Sequence, residues 1–405
     1  MKNLKSNTVF HKSLFGLLML CFSMFAVGQS KQNKTISNTS LRSKININRE
    51  WRFAIGDSVG AQTPGYSDAF WSRVGLPHSA SAPYFMWTAV YNGYVWYRKQ
   101  IDVPADWSGK TVTLEFEGSF IETEVYVNGT YVGKHVGGYT GFYFDITNYL
   151  IAGTNLIAVR VNNFWKARVA PRAGDHQFSA GIYRDVYLNV TDKVHVDWCG
   201  TFITTPTVSK TSAICKAQTD IRNDNATDKT CTVKTDIYDP NGTLVSTISA
   251  TDTILKNSVK TITQLLPEIT TPMLWSPSTP YLHKAVTTIS VDGSAVDSYE
   301  TSFGVRWFTW TSDQGFFLNG DHFYLLGANV HQDHAGWGDG VTNAAIKRDV
   351  QLMKDAGFNC IRGSHYPHDP AFSQACDEIG MIFFSENAFA SGTGIFIVRK
   401  WLYFW

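Results

Sequence analysis

The sequence predicts a multidomain, mainly β chain in which two antiparallel β-sandwiches precede a segment of parallel α/β structure. Three observations indicate this fold class. Short strand-like runs separated by turn residues fill about 45–190, a second all-β stretch occupies about 193–303, and strand and helix patterns alternate after Gly304. Antiparallel runs with turn signals are typical of sandwiches, whereas alternating strands and helices are typical of parallel sheets. A chain of 405 residues is long enough for about two to four domains with substantial cores.

Residues 1–28 have the pattern of a secretory signal peptide. A basic start precedes an apolar stretch from Leu14 to Val27, and small residues lie just before Gln29. The stretch is shorter than the ~20 residues of a membrane-spanning helix, although an uncleaved anchor remains the alternative. We therefore expect an exported protein, periplasmic or extracellular, without stable membrane insertion after cleavage.

The two sandwiches follow a flexible leader that we predict at 29–44 from its Ser, Thr, Asn and Lys content. Strand-like runs without a long helical period predict a jelly-roll sandwich at 45–192. Within it, Asn128-Gly129 stands between two β-rich runs, which is a strong two-residue hairpin signal. The stretch 193–303 has the size of an immunoglobulin-like sandwich, and we expect it to act as a spacer.

Strand and helix signals alternate in the last segment, 304–405. The runs HFYLLGANVHQ, FNCIRGSHY and MIFFSENAF read as strands. A first helix is predicted from Thr342 to a C-terminal cap at Gly357, and a second from an N-cap at Asp369 to a stop at Gly380. This order is the beginning of a parallel α/β fold.

Charge and cysteine content narrow the function classes. The 35 Lys and Arg residues nearly balance the 34 Asp and Glu residues, for a formal charge of +1. That balance argues against nucleic acid and anionic membrane as partners and favours a neutral one. The widely spaced cysteines do not form a disulfide framework and no CxxC occurs, so a cysteine zinc site is not expected. Cys215 and Cys231 could pair across neighbouring strands or remain free.

Polar side chains follow each predicted strand of the last segment. Because the carboxyl ends of parallel strands meet at one rim, we expect these side chains to converge, rather than to be ordinary polar loop residues. They are His331, Gln332, Asp333 and His334 after the first strand, Arg362, Ser364, His365 and Tyr366 at the second, and Ser385, Glu386 and Asn387 at the third.

A metal site at this rim is the weaker interpretation. His331/His334 and His365/His368 both have i, i+3 spacing, but neither pair lies inside a predicted helix, so the two rings of a pair need not share a face. With no HExxH motif and no carboxylate at a diagnostic offset, no metal ligand is predicted.

Several motifs resemble glycoside hydrolase family 2, which includes β-galactosidases, β-glucuronidases and β-mannosidases. The motifs GVRWFTWTSDQGFFLNGDHFYLLGANVHQDH, IRGSHYPHDPAFSQACDEIG and MIFFSEN resemble the opening of its TIM barrel. SAGIYRDVYL and VNGTYVGKHVGGYTGFYFDIT resemble its N-terminal sugar-binding jelly roll, and WSPSTPYLH resembles the end of its immunoglobulin-like domain. The resemblance covers about 45–390 and implies that the last segment contains the first three strands of a (β/α)₈ barrel.

The resemblance implies a glycosidase of β-galactosidase type that hydrolyses O-glycosyl bonds of β-linked sugars in carbohydrate metabolism. Retaining hydrolysis uses two carboxyl groups about 5–5.5 Å apart, one as nucleophile and one as acid/base. In the family both glutamates follow later barrel strands, the fourth and the seventh, and the family's Asn-Glu acid/base signature does not occur in this sequence. We therefore expect no catalytic residue in this chain and an inactive, C-terminally truncated form of the enzyme.

Five positions carry over as candidate substrate-binding residues. His331 and His365 match two histidines of the sugar subsite in the β-galactosidase branch. Asp175 falls where that branch sends a carboxylate from the jelly roll into the active site, with a solvated loop Asp as the alternative. Arg362 resembles an arginine that orients the catalytic carboxylates, with a buried structural Arg as the alternative, and Glu386 matches an acidic position on the third strand.

The resemblance does not predict a cofactor with certainty. The full-length family accommodates a divalent cation, but the branch's magnesium ligands after the third strand appear here as Ala390 and Gly392, which offer no side-chain ligand.

A non-catalytic carbohydrate-binding protein is the alternative function. In that case the jelly roll alone would bind glycans, with Trp87, Trp96 and Trp165 as aromatic platforms, although aromatic residues of this kind often fill a sandwich core.

Overall fold

The computed structural model describes residues 41–85, 90–166, 169 and 178–388, all of them in the unit Ser40–Trp405. The fold class is confirmed. A mainly β architecture of two sandwiches is followed by three parallel strands with two helices. No helix among these residues is long and apolar enough to cross a membrane.

The first sandwich consists of a four-stranded sheet in the order β1-β10-β5-β8 and a six-stranded sheet in the order β3-β2-β4-β9-β6-β7. All its strand pairs are antiparallel. Short 3₁₀ turns at Ala105–Trp107 and Thr147–Tyr149 join strands. The strands are β1 (Ser43–Asn46), β2 (Trp51–Ile55), β3 (Ser72–Val74), β4 (Tyr94–Val103), β5 (Thr111–Phe116), β6 (Glu122–Val127), β7 (Thr130–Val136), β8 (Phe142–Asp145), β9 (Gly153–Asn162) and β10 (Val186–Thr191).

The core of this sandwich lies between the two sheets. Trp51, Leu114, Phe116 and Ile157 are almost completely buried there, because alternate side chains of a strand point to opposite faces and one face of each sheet is turned inward. The edge of the sandwich extends into the predicted leader, since β1 begins at Ser43 rather than at residue 45.

The Asn128-Gly129 pair forms the predicted hairpin turn between β6 and β7. Both residues have positive φ, 50° and 86°, as a type I′ turn requires. The Asn128 side chain donates to the Tyr149 carbonyl at 3.0 Å, so the turn is also tied to a neighbouring loop.

The second sandwich pairs β11, β12 and β15 in one sheet, with β16 joined to β12, and orders the other sheet β14-β13-β17-β18. The side chains of β12 alternate strictly between buried and half-exposed positions. This alternation places one face of the strand on the core, as a sandwich requires. The strands are β11 (Val194–Val208), β12 (Ser212–Asn223), β13 (Lys229–Tyr238), β14 (Leu244–Ile254), β15 (Ser258–Leu265), β16 (Ile269–Thr270), β17 (Leu282–Val291) and β18 (Ser294–Gly304).

The last segment begins with a small antiparallel sheet and continues as a parallel one in the order β22-β23-β24. Its elements are β19 (Phe308–Thr311), β20 (Gly315–Leu318), β21 (Asp321–His322), β22 (Gly327–Val330), α1 (Asn343–Asp355), β23 (Cys360–Gly363), α2 (Pro370–Ile379) and β24 (Ile382–Ser385). Helix α2 has the predicted ends: the Asp369 side chain accepts from the Ala371 amide, and Gly380 closes the helix at φ 84°. Both helices pack on one side of the sheet through a common core that includes Val350, Ile361 and Phe372.

All five cysteines of the described residues are free thiols. Cys215 and Cys231 are buried in the second sandwich, where they belong to different core clusters. Cys215 and Cys231 are therefore two separate buried thiols and are not joined by a disulfide.

Candidate active site

The carboxyl ends of the three parallel strands are aligned. Val330, Gly363 and Ser385 are successive partners in the strand register. The side chains that follow or end these strands therefore meet at one rim, as the sequence predicts. The structure brings together four of the five candidate site residues, His331, Arg362, His365 and Glu386.

Arg362, His365 and Glu386 form a contact cluster at this rim. Arg362 Nε donates to Glu386 Oε1 at 2.5 Å, and Arg362 Nη2 lies 3.1 Å from His365 Nδ1. His365 Nδ1 is also 3.5 Å from Glu386 Oε2. Because a guanidinium only donates, Arg362 Nη2 donates to His365 Nδ1. Arg362 therefore hydrogen-bonds both other members of the cluster.

Arg362 is not a buried structural arginine. Its side chain is 39% exposed and that of Glu386 is 32% exposed, so both reach the surface of the rim. An exposed ion pair of this kind contributes little to stability.

His331 lies beside this cluster, with its ring centroid 5.4 Å from that of His365. Its Nδ1 is 3.0 Å from the Tyr366 hydroxyl, and this hydroxyl accepts from the Gln332 amide at 3.3 Å. The Tyr366 hydroxyl can donate to His331 Nδ1 in the tautomer that carries its proton on Nε2. Tyr366 is buried, which raises its pKa and keeps it a neutral donor.

A buried polar network lies behind the rim, and its role is not visible in the sequence. Asp339 is 5% exposed and accepts from Ser179 Oγ and, at 3.2 Å, from Gln332 Nε2. Burial raises the pKa of Asp339 to about 7. Gln332 was predicted at the rim, but its amide instead joins the network that supports the rim from below.

Arg184, in the GIYRDV motif, connects the first sandwich to this network. Its Nη2 donates to Gln332 Oε1 at 3.1 Å and to the Pro367 carbonyl at 2.7 Å, and its Nη1 donates to the Tyr139 carbonyl at 3.1 Å. Its Nε lies 3.9 Å from Asp369 Oδ2. Both side chains are almost fully buried, so this charged group is held by several partners at once. The GIYRDV motif was the only feature of the sequence that pointed to Arg184.

An aromatic seam, defined here as Phe120, Tyr139, Tyr183 and Tyr366, accompanies these polar contacts. The Tyr139 and Tyr366 rings are stacked, with centroids 4.7 Å apart and planes 4° apart. Tyr366, which orients His331, is therefore held in place by a ring of the first sandwich.

The remaining candidate site residue and the three candidate aromatic platforms have different outcomes. Asp175 lies outside the described residues, and its predicted role stays a prediction. Trp96 is not a sugar platform, because it is only 3% exposed and packs with Ala61 and Ala158 under a loop. Trp165 is 59% exposed, and Trp87 also lies outside the described residues.

In the described part of the chain the two histidine pairs have other neighbours. His334 Nε2 faces Asp349 of α1 at 2.5 Å, and His368 is buried among aromatic rings. In residues 41–388, apart from the gaps given above, no group of three or more His, Cys, Asp or Glu side chains could hold a metal ion. Ala390 and Gly392 lie beyond these residues and have no side-chain ligand to offer magnesium.

Comparison with known proteins decides the family. Profiles of glycosyl hydrolases family 2 match the chain in three consecutive parts: the sugar binding domain at 32–192, the family's central domain at 194–306 and the TIM barrel domain at 311–397. The chain belongs to glycoside hydrolase family 2. The predicted resemblance is thus confirmed, while the exact domain limits given above stay predictions.

Family-2 relatives carry two kinds of names. A beta-galactosidase of Bacteroides ovatus is 33% identical over 361 residues, which cover 86% of this chain and 42% of the relative. A beta-glucuronidase of Bacteroides fragilis is 31% identical over 369 residues, which cover 89% of this chain and 52% of the relative. The crystal structure of a Bacteroides uniformis beta-glucuronidase is similar with a TM-score of 0.82 at 33% identity, covering 86% of this chain and 42% of that one. The chain thus spans about half the length of such relatives or less.

Proposed function

We propose that the rim binds the sugar ring of a β-linked substrate and that the chain is part of an exported family-2 glycosidase of β-galactosidase type. The observation that carries this proposal is the convergence of His331, His365 and the Arg362–Glu386 pair at aligned strand ends. Imidazole N–H groups and a carboxylate are suited to the hydroxyls of a sugar ring, because together they supply donors and acceptors.

The proposed reaction is retaining hydrolysis by two carboxyl groups about 5–5.5 Å apart. Glu386 alone cannot supply both carboxyl groups of this pair, and Arg362 holds its carboxylate in place. We therefore propose that these residues bind and orient the sugar, and that no catalytic pair of carboxyl groups is formed among the described residues.

The preferred sugar in this proposal is a neutral galactoside rather than a glucuronide. A glucuronide carries a carboxylate that needs a cation at the site. Arg362, the arginine at this rim in the described residues, is already engaged by Glu386 and His365. A neutral ring meets no such requirement.

Binding of thiogalactoside tests the proposed sugar site. Saturation-transfer NMR with methyl β-D-thiogalactoside, which resists hydrolysis, should show binding to the purified chain. His331→Ala and His365→Ala should each weaken it about tenfold, since each removes a hydrogen bond to a ligand that is otherwise poorly held. His322→Ala is the matched control, because His322 lies in β21 and bonds the Gln314 carbonyl. Equal binding by all three variants would contradict the proposal.

Hydrolysis is tested separately with nitrophenyl β-galactoside, β-glucuronide and β-mannoside. We expect no turnover by the 405-residue chain. Turnover that survives His365→Ala and Glu386→Gln would show that other carboxylates of this chain act as the catalytic pair.

Export is proposed from the N-terminal pattern at 1–28. Expression with the native N-terminus in a Gram-negative host should yield a mature chain that begins at Gln29, which intact mass spectrometry measures. A chain retained with its first 28 residues would contradict export.

The second candidate is a non-catalytic carbohydrate-binding function of the first sandwich, and the exposure of Trp165 favours it. Trp165→Ala should then abolish glycan binding while His365→Ala leaves it intact. The opposite pattern would favour the rim.

A further inference from the structure

A cavity of about 430 Å³ lies on the side of the first sandwich that faces the second one. Its walls come from β5, β8 and β10 of the first sandwich and from β11 and β12 of the second, and Pro370 at the start of α2 also lines it. This volume is within the range of small-molecule sites, about 300–1,000 Å³. None of the rim residues described above lines it, so it is a separate feature.

A β-bulge places an aromatic ring at this cavity. The register of β11 and β12 shifts between Val196 and Thr201, and within the bulge Cys199 has φ 50°. Bulges re-aim side chains, and here the bulge directs Trp198 over Tyr143, with ring centroids 5.2 Å apart. Trp198 remains 36% exposed, so the ring is packed on one side and accessible on another.

Two cationic groups of the cavity wall are paired with carboxylates of the same wall. Lys44 bonds Glu115 at 3.2 Å, and Arg222 bonds Asp197 at 2.8 Å. An anionic ligand would approach these carboxylates, and a cationic ligand would approach the amine and guanidinium. A neutral ligand that carries both donors and acceptors avoids both repulsions.

Glu117 provides a polar group that is not used by the fold. Its backbone is anchored, because its amide donates to the Asp185 carbonyl at 3.0 Å. Its carboxyl makes no hydrogen bond with any described residue, and burial raises its pKa to about 8. A ligand hydroxyl in the cavity would supply the missing partner.

We infer that this cavity is a second carbohydrate site, for a neutral saccharide that stacks on Trp198 and Tyr143 and hydrogen-bonds Glu117. The apolar face of a pyranose packs against an aromatic ring, and its hydroxyls both donate and accept. This matches a wall that combines accessible rings with balanced polar groups. The site is independent of the rim, and it binds sugar whether or not the rim does.

The test uses the full chain carrying His331→Ala and His365→Ala, so that the rim does not contribute. Cellobiose and lactose are the probes, and saturation-transfer NMR and tryptophan fluorescence report binding. On this background Glu117→Leu should weaken binding about tenfold, since it removes both carboxyl oxygens and keeps a side chain of similar size. Trp198→Ala should abolish it.

Trp310→Ala is the matched control, because Trp310 is 55% exposed on β19 and does not line the cavity. It should bind both disaccharides like the background chain. Melting curves identify any variant that fails to fold, and Glu117→Leu keeps the test decisive if Trp198→Ala fails to fold. The proposal is overturned if neither disaccharide binds or if Glu117→Leu binds as tightly as the background. It is equally overturned if phosphate or choline, rather than sugar, binds in a manner that depends on Trp198.

Discussion

Replacing Arg184 by Met should weaken the contact between the first sandwich and the parallel sheet. The effect should be much larger than that of replacing Arg160, a paired arginine that is more exposed. Arg184 is 2% exposed, and the substitution removes its hydrogen bonds to the carbonyls of Pro367 and Tyr139 and to Gln332. It also leaves Asp369 buried without its cation. Breaking such a buried charged group costs about 3–5 kcal/mol, and the hydrogen bonds alone account for about 1 kcal/mol each.

Hydrogen exchange of peptides covering 358–386 measures this effect. A cost of about 4 kcal/mol corresponds to a roughly thousandfold increase in the opening equilibrium of that region. The matched control is Arg160→Met, because Arg160 also pairs with two carboxylates, Asp57 and Glu124, but its side chain is 22% exposed and both partners reach solvent. We expect the control to cost less than about 1 kcal/mol. Equal protection in the two variants would refute the assigned role of Arg184.

Three further results are expected. Burial holds the pKa of Asp339 at about 7 in the folded chain, above its unfolded value, so its stabilising contribution is complete below about pH 4 and is lost as pH rises through 7. The free energy of unfolding of wild type relative to Asp339→Asn should therefore fall with rising pH by about 1.4 kcal/mol per unit in that window, and a flat difference in urea titrations would contradict it. A Cβ at Gly380 would lie 2.5 Å from the Pro277 carbonyl, whereas one at Gly357 meets no atom within 4 Å. Because both glycines have positive φ, melting should show a loss of about 1 kcal/mol for Gly357→Ala and clearly more for Gly380→Ala, and equal losses would exclude the clash. Native alkylation followed by peptide mapping should modify Cys199, the exposed thiol of the described residues, before the buried ones, and uniform labelling would contradict this.

The parts of the fold that could be predicted from the sequence are those fixed by local rules. The ends of α2 follow from Asp369, Pro370 and Gly380, whose side chains or φ angles determine capping over a few residues. The convergence at the rim follows equally directly, because parallel strands place their carboxyl ends at one edge. Neither inference needs contacts between distant parts of the chain.

The network behind the rim could not be predicted, because it depends on distant contacts. Arg184 and Gln332 are 148 residues apart in the chain, and nothing in the local pattern of either indicates the other. Asp339 stands in a loop that looks polar and solvated, but the first sandwich covers it. A family motif can identify such an arginine as notable, but only the fold shows what it holds.

The sequence left Trp96 open as either a sugar platform or a core residue, because aromatic residues of a sandwich serve as both. In β4 the outer face is covered by Ala61 and its loop, with Tyr66 and Trp71 packed against the same cluster. Burial on both faces of a strand cannot be read from the alternation of the strand itself.

The aromatic seam affects any fragment in which the first sandwich is separated from the last segment. A fragment ending near 303 would retain Tyr139 but lose Tyr366, whose ring covers it. Such a fragment would expose the apolar face of Tyr139 to water. Its adhesion to a glycan surface could then result from this exposed surface rather than from specific sugar recognition. The jelly roll of this chain thus shares a buried aromatic cluster with the first strands of the barrel.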